Sequence, residues 1–149
     1  MTASAWLAEN FRTEFRLPEV AIEWLLMLWQ ATQTFDDVAD GDPVSREELN
    51  ATIWNTLVAM NRNEFWLLHQ STLTPIVASM VLKWQASDRA ERAGNADAKS
   101  FVWRAGYYDV VLMAVQLLHG AEVAINVSDK VMALYGERYE DYLKEFEHA

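Results

Sequence analysis

The sequence predicts an all-α, single-domain bundle over residues 1–149, with about six to eight helices around a central apolar helix at about 19–40. Three observations lead there. Apolar residues recur at three-and-four spacing along nearly the whole chain, which is the period of a helix face. No segment alternates apolar and polar residues between hairpin turns. And 149 residues, 52% of them apolar, with 7 Trp, 6 Phe and 5 Tyr, suffice to bury one core without disulfides, of which a chain with no Cys has none.

The elements follow in order. A first helix runs from about Ala3 to Arg16 and stops before Pro18, whose ring disfavours helical geometry at the preceding residue. The second, from about Glu19 to Asp40, is apolar nearly all round through Trp24, Leu25, Leu28 and Trp29, as a helix packed on several sides must be. Gly41-Asp42-Pro43 ends it. Ser45 with Glu48 has the spacing of a capping box and opens a third helix. That helix carries Leu49, Ile53, Leu57 and Met60 on one stripe. An Asn61-Arg62-Asn63 turn then predicts a helical hairpin with a short stretch at about Glu64–Gln70. Thr72 or Thr74 caps the next helix, with Pro75 in its first turn and Gly94 at its end. A long helix is expected from Asp97 to His119, closed by Gly120. Ser128 is a candidate cap for a final stretch through Val131, Tyr135, Tyr139, Tyr142 and Phe146. The tryptophans at 6, 24, 29, 54, 66, 84 and 103 are read most simply as core, with Trp6, Trp66 and Trp103 a partner surface if exposed together.

Charge and motif content narrow the function classes. A net charge of −10 repels phosphate backbones, so no nucleic-acid partner is expected. The N-terminal residues lack a signal-peptide pattern, and the apolar run Ile22–Trp29 is far short of the ~20 residues that span a bilayer. A cytoplasmic location with no membrane contact is the expectation. The isolated glycines form no phosphate loop, and His69, His119 and His148 sit in no hydrolase-triad context.

Two sets of polar residues remain as candidates. At the end of helix two, Asp36, Asp37 and Asp40 fall within about 100° around the axis, close enough to share one hard cation such as Mg²⁺. Acids there also oppose the helix dipole. The same residues equally describe a solvated helix end entering a turn. Elsewhere, Glu23, Gln30 and Thr34 lie within about 40° on helix two, and Asp109, Gln116 and His119 cluster on the long helix. Ordinary core hydrogen bonding and a metal site joining His119 to Glu122 are the two readings of these.

The five residues Asp36-Asp37-Val38-Ala39-Asp40 resemble the D-D-x-x-D motif of class I isoprenoid synthases, which are also all-helical. The resemblance implies Mg²⁺ on Asp36, Asp37 and Asp40, a prenyl diphosphate as ligand, and an apolar cavity lined by side chains such as Trp29 and Phe35. The segments FDDVADGD, LKWQASDRAERAG and WRAGYYDVV are also similar to short phage-encoded helical proteins. Two functions are therefore carried forward. The first is a non-enzymatic binding or assembly protein acting through a protein partner or self-association. The second is a small Mg²⁺-dependent phosphate or prenyl-diphosphate binder or enzyme built on the aspartates.

Overall fold

The computed structural model describes residues 1–147, so His148 lies outside the described residues. With the continuous rod 46–62 counted once, the described residues form eight helices and no strand. The all-α expectation holds. Their contacts group into two compact units, Met1–Gln70 and Ser71–Ala149.

In the first unit, α1 (Ala3–Thr13) starts at Thr2, whose hydroxyl accepts from the Ala5 N–H at 3.1 Å. It ends three residues earlier than its apolar pattern suggested. Arg16 takes the left-handed conformation at φ 50°, and the Leu17 N–H turns back to the Phe11 carbonyl. That closure tucks Phe15 and Leu17 into the core beside Leu7 and Phe11. The following α2 (Glu19–Asp40) has the expected bounds and buries Ala21, Ile22, Trp24, Leu25, Leu28, Ala31 and Thr34. Gly41, at φ 75°, closes it, with the Asp42 N–H bonded to the Asp37 carbonyl at 2.8 Å. Trp24, almost fully buried, stacks on Trp66 with ring centroids 5.4 Å apart and tilts against Phe65.

The third helix is one rod in three parts: α3 (Arg46–Trp54), a π-helical turn (Asn55–Ala59) and α4 (Met60–Arg62). The Ser45 hydroxyl caps it by accepting from the Glu48 N–H. At its far end a single extended residue, Asn63, breaks the helix. Its side-chain amide donates to the Val20 carbonyl, and its side-chain oxygen accepts from the Trp66 N–H and so starts α5 (Glu64–Arg92).

The sequence divided α5 into two helices at 70–72, whereas it is continuous for 29 residues with Pro75 inside it. Thr72 and Thr74 therefore cap nothing. Pro75 has no N–H to give the Ser71 carbonyl, but both residues are exposed, so water can serve that oxygen. Undivided, α5 is long and apolar enough by length and composition to cross a membrane, which the shorter stretches were not. Only 17% of its most apolar stretch is buried.

The second unit contains the rest of α5 with α6 (Ala98–Trp103), α7 (Tyr107–His119), α8 (Ala121–Met132) and α9 (Tyr139–Phe146). Asp97 and Ser100 form a reciprocal capping box at the start of α6. The long helix expected over 97–119 is broken at 104–106. Gly106 there lies so close to α5 that an added Cβ would stand 3.0 Å from the Met80 Cα, tight enough that the backbone at Met80 would have to give way. Ser128 lies within α8, its hydroxyl donating to the Ile125 carbonyl, so it caps no later helix. The last helix starts instead at Tyr139 after an extended Arg138. Tyr142 on α9 is fully buried, and Tyr135, Tyr139 and Tyr142 all ring Phe101 at 5.2–5.3 Å.

Of the tryptophans read as core, only Trp24 is buried. Trp6, Trp54 and Trp103 are exposed, and Trp29, Trp66 and Trp84 are intermediate.

Candidate functional site

The rod 46–62 packs against α2 with its polar side inward. Gln30 on α2 donates through Nε2 to the hydroxyls of Thr34 at 3.0 Å and Thr52 at 2.8 Å, and its Oε1 accepts from Asn55 at 3.3 Å. Thr52 in turn donates to the Glu48 carbonyl, and Thr56 to the Thr52 carbonyl. Both hydrogen-bonding ends of the Gln30 amide are thus used, and buried Thr34 and Thr52 leave no bare hydroxyl in the seam. The threonine hydroxyls also occupy carbonyls on the inner side of the helix. One turn later the ladder takes up an extra residue, the Met60 N–H reaching the Asn55 carbonyl.

Because the inner side is polar, the apolar stripe faces out. Leu49 is 37% exposed, Ile53 48%, Trp54 61% and Leu57 72%. Thr52 is the buried residue of α3. An amphipathic helix ordinarily turns such a stripe to the core, but here Leu49, Ile53 and Leu57 face outward and Met60 is half-buried. The signal was present in the sequence as Thr52, Asn55 and Thr56 opposite that stripe, together with Gln30 on an otherwise apolar helix. Beside the end of the rod, Glu23, Leu26, Met27, Ala59, Arg62 and Asn63 line an open cleft of about 490 Å³. Glu23 is exposed at this cleft and lies outside the Gln30 seam with which it was grouped.

Asp36 and Asp37 are half-buried at the end of α2, and Asp40 is exposed. The Asp37 carboxyl is held above the usual carboxylate range, by partial burial first and then by repulsion from Asp42, Asp36 and Glu48. Asp42 and Glu48 come from beyond the turn and from α3, which motif spacing on α2 alone does not reveal. Among the described residues, no group of three or more His, Asp or Glu is arranged to hold a metal ion. Phe35 is exposed, so it lines no enclosed cavity.

In the second unit, Asp109 pairs with Lys83 at 3.0 Å, Gln116 is half-buried and His119 is exposed at the end of α7. Gly120 then takes φ 90°, ψ 169°, which interrupts the helix between His119 and Glu122. The sequence missed a different constellation here. The Tyr142 hydroxyl donates to Glu91 at 2.8 Å and shares a 2.6 Å hydrogen bond with the Ser100 hydroxyl. Arg104 lies 3.5 Å from Glu91 and 3.7 Å from Glu137, with its guanidinium over the Tyr142 ring. Burial, together with the Glu91 carboxylate, pushes the Tyr142 phenol up to about 12, so it remains a neutral donor. Three helices, α5, α6 and α9, and the segments just after α6 and just before α9 meet at this network, and its groups satisfy one another.

No family model, no curated protein and no solved structure matches the chain.

Proposed function

We propose that the protein acts without catalysis, as a helical binding or assembly protein whose docking surface is the outward stripe of Leu49, Ile53, Trp54 and Leu57. The carrying observation is the inverted rod, which keeps its threonines and amides inside and its large apolar groups in water. Single exposed leucines are ordinary, but four large apolar groups at helical spacing lose stabilisation unless something covers them. Binding surfaces concentrate aromatic anchors, and Trp54 stands within this stripe.

A photo-crosslinking side chain placed at position 57, and separately at exposed position 122, tests the reading in extracts of cells that make the protein. Discrete adducts from position 57, absent from position 122 and removed by Ile53→Lys, are the expected result. Identical patterns from the two positions would overturn it.

A further inference from the structure

Phe65, Leu73, Met80 and Ser87 hold one side of α5 in the interior. On the opposite side Leu68, Ser71, Pro75, Ala78, Leu82 and Gln85 are all exposed and fall within about 100° around the axis. Their spacing alternates three and four, that of the heptad seam along which two helices pack. Leu68 and Leu82 are more exposed than Leu49 or Ile53 of the rod. The same spacing continues outward to an acid at one end, Glu64, and a base at the other, Arg89, both exposed. Among the described residues neither of these side chains makes an ion pair. From Phe65 to Leu82 the helix has no Asp, Glu, Lys or Arg. Its acids Glu64, Asp88 and Glu91 balance its bases Lys83, Arg89 and Arg92, so the net charge of −10 lies on other segments.

We infer that α5 is a dimerisation helix, packing antiparallel along this stripe against α5 of a second copy of the chain. The stripe reads alike from either end, as a two-fold interface needs, since residue i then meets j and j meets i. Pro75 comes opposite Ala78, Ser71 opposite Leu82, and Leu68 opposite Gln85. Glu64 of each copy comes opposite Arg89 of the other, which puts one charge pair at either end of an uncharged seam. A parallel pair would set Glu64 on Glu64 and Arg89 on Arg89, so the charges select the antiparallel arrangement. From Glu64 to Arg89 the seam runs about 38 Å at 1.5 Å per residue. Small side chains at its centre let the two axes approach, and the leucines on either side bury apolar area. A lipid surface is the poorer occupant, because Ser71, Thr72, Ser79 and Gln85 on the exposed side would lose water without gaining partners. This face lies on a different helix from the outward stripe of the rod and needs no occupant there.

The test is the mass of the full chain by light scattering, over a dilution series at low ionic strength, for the wild type and for variants shown to be folded by their melting curves. The wild type should pass from monomer to dimer as concentration rises, and Leu57→Lys on the rod should do the same. Leu82→Lys, at an exposed position, should weaken the dimer at least about tenfold. Glu64→Arg and Arg89→Glu each set like charges together at both ends of the seam and should each weaken it about tenfold, and the two combined should restore it. A monomer at every concentration, a dimer that Leu82→Lys leaves intact, or one lost in Leu57→Lys would overturn the assignment to α5. A double reversal no better than the single ones would overturn the antiparallel register. Flotation with phosphatidylcholine vesicles by a chain that stays monomeric would make a lipid surface the occupant instead.

Discussion

The two units bury polar groups in different ways, and the difference decides what each leaves outside. In the first, the interior polar groups are neutral amides and hydroxyls on the seam between α2 and the rod, and they displace apolar side chains to the surface. In the second, the buried hydroxyls of Ser87 and Ser100 are joined by charged and phenolic groups: Glu91, Arg104, Glu137 and Tyr142 bind α9 beneath a ring of aromatics. A buried polar network is therefore no sign of a functional site by itself. The second one closes its own surface, while the first opens one, and it is the surface left uncovered that points to function.

If the second network is structural, its deletion should be the costliest change. Tyr142→Ala removes a fully buried aromatic and two hydrogen bonds, and is expected to cost about 3–5 kcal/mol in urea unfolding. A loss below about 1 kcal/mol would mean that α9 is not held as described. The first network should matter less. Gln30→Leu leaves the Thr34, Thr52 and Asn55 groups without their shared partner, at about 1–3 kcal/mol. Adding Thr52→Val should cost less than the sum of the two single changes, because each removes the other's unsatisfied atom. Strict additivity would contradict a shared seam.

The smallest effect belongs to the acidic corner. The folded state raises the Asp37 carboxyl, so folding favours its protonated form. Its charge is a cost at neutral pH, and that cost disappears as pH falls through the raised value. Asp37→Asn should accordingly raise the melting temperature by about 1–3 °C near pH 7. The advantage should vanish in acid. Added Mg²⁺ should leave the wild-type melt in place, since no trio of acids among the described residues is arranged around a cation; a rise that Asp37→Asn abolishes would restore the aspartate-rich motif as a metal site.

Local signals made the helices legible. Pro18, Gly41 and Ser45 bound α2 and α3 through backbone chemistry that a short window contains. Where the reading failed, the deciding contact was distant in sequence. The interruption at 104–106 falls where Gly106 passes close to Met80, twenty-six residues away, whereas the break expected at 61–63 is present at Asn63, held through the Val20 carbonyl. Pro75, by contrast, is tolerated inside α5 for a local reason: Ser71, whose carbonyl it leaves without an N–H, is exposed. The candidate residues fared similarly. Gln30 stood out as polar on an apolar helix, but its partners Thr52 and Asn55 lie more than twenty residues away. The periodicity of α3 marks the stripe but not whether it faces the core or solvent, because the spacing of apolar residues gives a direction only relative to the helix's own axis.

That inversion can be measured directly by the thermal stability of Leu57→Lys. Lysine is a good helix former, and the side chain it replaces is 72% exposed, so the melting temperature should stay within about 2 °C of wild type. A fall equivalent to about 2–5 kcal/mol, the cost of a core leucine, would place the stripe inside and contradict the account.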